Sequence, residues 1–143
     1  VIRTVWVYVA GVVYTIIFAS RVIIHSALRS PWMKEVCQDT PTRWSRGMLW
    51  FAGARVRLEG VENLRTDAPQ IVVANHESWF DVWALAAHLP VDYRFVAKEE
   101  LGRIPLFGRA WQTCGHVSIN RGDRSSALES LDEASRKVRD EHL

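Results

Sequence analysis

From Thr4 to Ser20 the chain carries no charged side chain: TVWVYVAGVVYTIIFAS. No other stretch restricts the fold so strongly. As a helix these seventeen residues reach about 26 Å, just short of a hydrocarbon core of about 30 Å. Val22-Ile23-Ile24 extend the run, and Arg21 between them can snorkel. Trp6, Tyr8 and Tyr14 suit a membrane interface. A signal peptide is one alternative, but no small-x-small cleavage site follows cleanly. A buried core helix or sheet-forming segment is another, given the many β-branched residues. Membrane contact through a helix over residues 1–25 is the expectation. Spanning and re-entry within one leaflet both fit.

Arg21, Arg29, Lys34, Arg43 and Arg46 follow the apolar run, and only Arg3 precedes it. The positive-inside rule then puts the main domain on the cytoplasmic side; the membrane is expected to be of the bacterial inner membrane type. The formal charge of +2 makes no case for nucleic acid. The apolar fraction and the seven tryptophans exclude a disordered chain, and the length suits one domain. Cys37 and Cys114 have no metal-type spacing. They read as free thiols in a reducing compartment rather than a disulfide.

Beyond the apolar run, residues 26–53 read as an amphipathic connector. Ser30-Pro31 and Gln38-Asp39-Thr40-Pro41 punctuate it, and a short helix over Thr42–Ala52 closes it. Residues 54–143 then alternate strands and helices. Arg55–Glu59 alternates polar and apolar like a half-exposed strand. Gln70–Ala74 is apolar enough for a strand buried on both faces. Tyr93–Ala97 and His116–Ile119 are further strands. Helices are expected over Ser78–Leu89, from about Ile104 to Cys114, and over Arg124–Asp140, with a helical turn at Lys98–Leu101. This order argues for an α/β fold with a largely parallel sheet flanked by helices. Ligands of such sheets lie at the carboxyl ends of the strands. His76, Lys98 and Asn120-Arg121 each follow an expected strand, so all three can line one edge.

At the first of these places stands Asn75-His76-Glu77-Ser78-Trp79-Phe80-Asp81. A histidine accepts a hydroxyl proton near neutral pH, and a carboxylate can orient its ring. On one helix, positions five apart point about 140° away from each other. His76 can therefore meet Asp81 only from the loop before the first turn. The same residues also fit Ser-x-x-Asp, a helix cap. In that reading Asp81 serves only backbone amides and His76 is a loop histidine.

The run Asn75-His76-x-Ser78-x-x-Asp81 resembles the first motif of the glycerolipid acyltransferases, lysophosphatidic acid acyltransferase type. Gly60-Val61-Glu62-Asn63-Leu64 is similar to the loop before that motif's strand. Phe95-Val96-Ala97-Lys98-x-Glu100-Leu101 with Ile104-Pro105-x-x-Gly108 resembles the second block. Gly115-x-x-x-Ile119-Asn120-Arg121 resembles the block that ends in Asp-Arg. The resemblance covers roughly residues 54 to 140 and implies a membrane-bound enzyme. It would move an acyl group from a thioester, of coenzyme A or acyl carrier protein, to the free hydroxyl of lysophosphatidic acid.

His76 would be the base and Asp81 its orienting group. Asn75, Ser78, Lys98 and Arg121 would bind substrate, Lys98 and Arg121 through the acceptor phosphate. The alternatives are a solvated Lys98 beside Glu99 and Glu100, and an Arg121–Asp123 ion pair. His88 and His116 read as structural. No metal and no cofactor beyond the thioester co-substrate is implied. Two departures stand out. Asn120 replaces the usual Asp, and the family's later Glu-Gly-Thr-Arg block is absent from this sequence. A sheet cut here would expose an edge, to be covered by more of a longer protein or by other membrane-protein subunits. A catalytically silent accessory subunit of a membrane complex is the alternative function.

Overall fold

The computed structural model describes residues 2–140 except Thr66, Arg121 and Asp123. Helix α1 (Ile2–Ala27) and helix α2 (Met33–Ala52) form an antiparallel hairpin. A 3-10 turn at Val61–Asn63 follows, then α3 (Trp79–His88), β1 (Val96–Lys98), α4 (Glu99–Gly102), α5 (Phe107–Thr113), β2 (Val117–Ile119) and α6 (Arg124–Asp140). The two strands pair in parallel, with Val96 opposite Val117 and Lys98 opposite Ile119. The result is an α/β architecture preceded by an apolar helix, as the alternation of elements predicts.

The hairpin packs through glycines. A Cβ on Gly47 would sit 2.2 Å from Tyr14 Cε1, and one on Gly11 would sit 2.8 Å from Met48 Cε. Each helix thus yields a gap to a large side chain of the other. Polar stitches add to this. Trp44 Nε1 donates to Thr15 Oγ1 at 2.9 Å, and Arg21 donates to Asp39 at 3.1 Å and to Thr40 at 2.9 Å. Arg43 pairs with the same Asp39. Arg21 is therefore ion-paired inside the hairpin rather than snorkelling. Helix α5 closes the assembly, with Ala19, Val22, Val36, Ala110 and Cys114 forming a buried cluster.

Three expectations need correction. Helix α2 begins nine residues before Thr42, at Met33, and runs through Pro41. That proline removes one backbone donor, but α1 and α3 both pack along the helix and hold it together. Second, Arg55–Glu59 and Gln70–Ala74 belong to no strand. A strand buried on both faces needs pairing and cover, and Ile71 and Val73 are instead 80% and 87% exposed. Third, Cys37 and Cys114 are bonded as a disulfide, with Cα atoms 5.1 Å apart. The fold brings α2 against the end of α5, a proximity that a separation of 77 residues does not announce.

Candidate functional site

Ser78 is the N-cap of α3, with extended backbone at φ −151° and ψ 167°. Its Oγ accepts the Phe80 N–H at 3.2 Å. Asp81, three positions on, reaches back to complete the capping box. One oxygen of Asp81, Oδ2, collects three partners. The amides of Glu77 and Ser78 each donate to it at 2.8 Å, and His76 Nδ1 lies 3.3 Å away. His76 stands before the first turn of α3, which is the position its spacing from Asp81 requires.

The electrostatics follow from those donors. The Ser78 amide, then the Glu77 amide, holds the Asp81 carboxyl below its ordinary range, and His76 adds a smaller lowering. Asp81 is therefore a carboxylate at neutral pH, and acceptor-only. With the imidazole proton on Nδ1, donated to Asp81, the Nε2 lone pair is left on the far side of the ring. The His76 side chain is 61% exposed, so Nε2 is open to an incoming hydroxyl. The bonds that cap α3 and the contact to His76 thus share one carboxylate oxygen.

Lys98 ends β1, exposed, at the N-cap of α4. Its neighbour Glu99 is paired with Arg103 at 2.7 Å. The register sets Lys98 opposite Ile119, so Lys98 and Asn120 share the carboxyl edge of the sheet. Asn120 Oδ1 accepts the Gly122 N–H at 2.9 Å. Arg121 lies outside the described residues. Asn75 is exposed beside His76. The common edge expected for His76, Lys98 and Asn120 forms only for the last two, because the segment before His76 joins no sheet. No hydrogen bond or ion pair links Lys98 to His76 or Asp81 among the described residues. No cluster of His, Cys, Asp or Glu that could hold a metal occurs among the described residues.

One feature escapes the sequence: an apolar cavity of about 70 Å³ between α1, α2, α3 and α5, bounded by Phe18, Trp44, Trp79, Val82 and Phe107. Trp79 directly follows the cap, so the cavity begins within one residue of the site. His116 closes its far side and is structural, as expected. It accepts the Phe95 N–H on Nδ1 at 3.1 Å. Burial, then the charge of Arg94, pushes its pKa down to about 3.

The Acyltransferase family model matches residues 55–143. The chain is 33% identical over 93 residues to a 1-acyl-sn-glycerol-3-phosphate acyltransferase of Cocos nucifera, covering 65% of this chain and 30% of that protein. The protein of the same name from Helicobacter pylori is 33% identical over 89 residues, 62% of this chain and 37% of its own. A chloroplastic one from Arabidopsis thaliana is 28% identical over 126 residues, 86% of this chain and 35% of its own. The chain thus spans about a third of the length of these curated relatives. No solved structure matches it.

Proposed function

This chain belongs to the acyltransferase family, and from that premise we propose that its protein transfers an acyl group from a thioester to the hydroxyl of lysophosphatidic acid. The product would be phosphatidic acid. The observation that carries the reading is Asp81 Oδ2, fixed by two amides and set 3.3 Å from His76 Nδ1. His76 Nε2 takes the hydroxyl proton as the oxygen attacks the thioester carbonyl. The C–S bond then breaks, and the thiolate of coenzyme A or acyl carrier protein takes the proton back from His76. No enzyme nucleophile enters these steps, and residues 54–143 supply the groups named. Lys98 and Arg121 are assigned to the acceptor phosphate, and Asn75 and Ser78 to the substrate side of the loop. The comparisons support this through the names of the relatives, each of which is longer than this chain.

Residues 1–25 are assigned to membrane attachment and 26–53 to the connector. Thr4–Ala27 is long and apolar enough to cross a membrane, with mean hydropathy 2.0. Yet α2 lies along it and is tied to it by the Arg21–Asp39 pair, whose burial in hydrocarbon would be costly. Attachment through the uncovered face, with Val5, Val9, Val12, Ile16 and Ile17 exposed, avoids that cost. The main domain is assigned to the cytoplasmic side of a bacterial-type inner membrane, on the basic residues behind the apolar run.

The test is phosphatidic acid formation by the full-length protein in membranes, with acyl-coenzyme A and acyl carrier protein thioesters offered separately. Product with neither donor, from folded protein, overturns the reading and leaves the accessory-subunit alternative. Lys98→Ala should raise the acceptor KM more than the donor KM. Extraction by salt alone would refute an apolar anchor, and digestion of the domain from the outer side would refute the orientation.

A further inference from the structure

The Cys37–Cys114 disulfide stands between two cavities of opposite character. Cys114 is buried and faces the apolar cavity, which Cys37 does not line. Cys37 is only partly buried and faces a polar pocket of about 230 Å³, which Cys114 does not line. This pocket opens to solvent between α2 and the segment joining α3 to β1. Gln38, Thr42, Asp92, Tyr93 and Arg94 form its walls. Its carboxylate, Asp92, is held by the Gln38 amide. Its cation, Arg94, lies over the backbone just past Cys114, where a Cβ on Gly115 would meet Arg94 Nε at 3.4 Å. Arg94 Nη1 also donates to the Tyr93 carbonyl at 2.9 Å, which ties the guanidinium to this wall.

We propose that Cys37 is a thiol-exchange site, opened from the polar pocket by a low-molecular-weight thiol that carries net negative charge. The thiolate attacks Cys37 Sγ, since Cys37 and not Cys114 lines the pocket. The Sγ–Sγ bond breaks, its electron pair leaves on Cys114 Sγ, and that sulfur takes a proton from water. The product is a mixed disulfide at Cys37 and a free thiol at Cys114. A second thiolate attacks the small molecule's sulfur and releases Cys37 as a thiolate, which is protonated. Two electrons pass from two small thiols to the protein, and the small molecule leaves as its own disulfide. Attack on Cys114 would bring the whole charged small molecule into the apolar cavity, at a heavy desolvation cost, whereas attack on Cys37 leaves only the Cys114 sulfur charged there until it is protonated. Arg94 favours both the anionic thiol in the pocket and the departing Cys114 thiolate.

Exchange removes the one covalent tie between α2 and α5 while the cluster of Ala19, Val22, Val36 and Ala110 still packs. It therefore leaves Cys114 as a free thiol at the wall of the apolar cavity without unfolding the hairpin.

The experiment uses the full-length protein in detergent micelles at neutral pH, with reduced glutathione or cysteamine as the probe. Each reaction is quenched with an alkylating agent and the peptides are mapped by mass. The expected product is glutathione on Cys37 with the alkyl group on Cys114. Relative to an unstructured model disulfide, glutathione should outpace cysteamine by about tenfold, and Arg94→Gln should erase that preference. Cys114→Ser, given glutathione disulfide, should take the adduct on Cys37 while folded. Glutathione on Cys114, equal labelling of both sulfurs, reaction only after unfolding, or no preference between the probes overturns the proposal. So does isolation of the protein with both cysteines as thiols under oxidising conditions.

Discussion

The α1–α2 hairpin and the segment from Ile71 to Phe80 are held by opposite means. The hairpin is fastened by contacts remote in sequence: Gly47 against Tyr14, Trp44 on Thr15 and Arg21 on Asp39, and a disulfide across 77 residues ties it to the end of α5. Every residue of the 71–80 segment is exposed. Its geometry comes from bonds within six residues, all centred on the start of α3. The His76–Asp81 geometry is thus locally determined, while the scaffold beneath it is globally determined. Removing His76 should cost activity and spare stability. Removing the disulfide should do the reverse.

The largest expected effect breaks the chemistry alone. In the full-length protein, His76→Ala should lower acyl transfer by about 10²–10⁴-fold, the usual worth of general-base assistance. The melting temperature should not move, since His76 is mostly exposed. Near-normal turnover would remove His76 from the mechanism. A large fall in melting temperature would mean that the segment is not the local construction described.

On the other side of the comparison stands the disulfide. Closing a loop of this length constrains the unfolded chain by about 4 kcal/mol in the chain-entropy account. Replacing Cys37 and Cys114 together by Ala should approach that loss in denaturant unfolding, with turnover per folded molecule preserved. A loss below about 1 kcal/mol would mean that the apolar cluster alone secures α5. His116 offers a pH test of the same scaffold. Its pKa is lowered to about 3 in the folded protein from about 6.5 in the unfolded chain. Between those values the unfolded chain binds the extra proton. Stability from the neutral ring is therefore fully present above about pH 6.5, and is lost as pH falls toward the folded value. The Phe95 N–H needs an unprotonated Nδ1, so protonation also breaks that bond. His116→Gln should flatten the acid limb of the stability curve; an unchanged limb would assign acid sensitivity to carboxylates.

The same division explains what could be read from the sequence. The start of α3 was legible because Ser78-x-x-Asp81 encodes its own hydrogen bonds. Strands β1 and β2 and helices α1, α5 and α6 were legible because periodicity and punctuation act over neighbours. The first half of α2 was not, because Pro41 signals a break and only packing from α1 and α3 overrides it. The disulfide was not, because nothing local to Cys37 or Cys114 encodes their meeting. The strand expected at Gln70–Ala74 reflects real apolar character without pairing. That is why His76 is placed by its cap and not by a sheet edge, and why Lys98 and Asn120 share an edge without it.

The smallest effect divides the cap itself. Ser78→Ala removes the Oγ that accepts the Phe80 amide at 3.2 Å. N-cap replacements of this kind cost about 1 kcal/mol. The amides of residues 77 and 78 still reach Asp81 whatever side chains they carry, so the orienting carboxylate stays in place and turnover should fall only by the share of Ser78 Oγ in holding substrate. Asp81→Asn makes the opposite cut. Its amide oxygen can still accept from the backbone, so stability should fall by no more than the Ser78 change. The lost charge no longer stabilises a protonated His76, and its NH2 group faces the ring as a donor. Activity should therefore drop, though by no more than for His76→Ala. If Ser78→Ala left turnover untouched, Ser78 Oγ would serve the cap and not the substrate. If Asp81→Asn lowered stability but left turnover intact, Asp81 would be a cap alone.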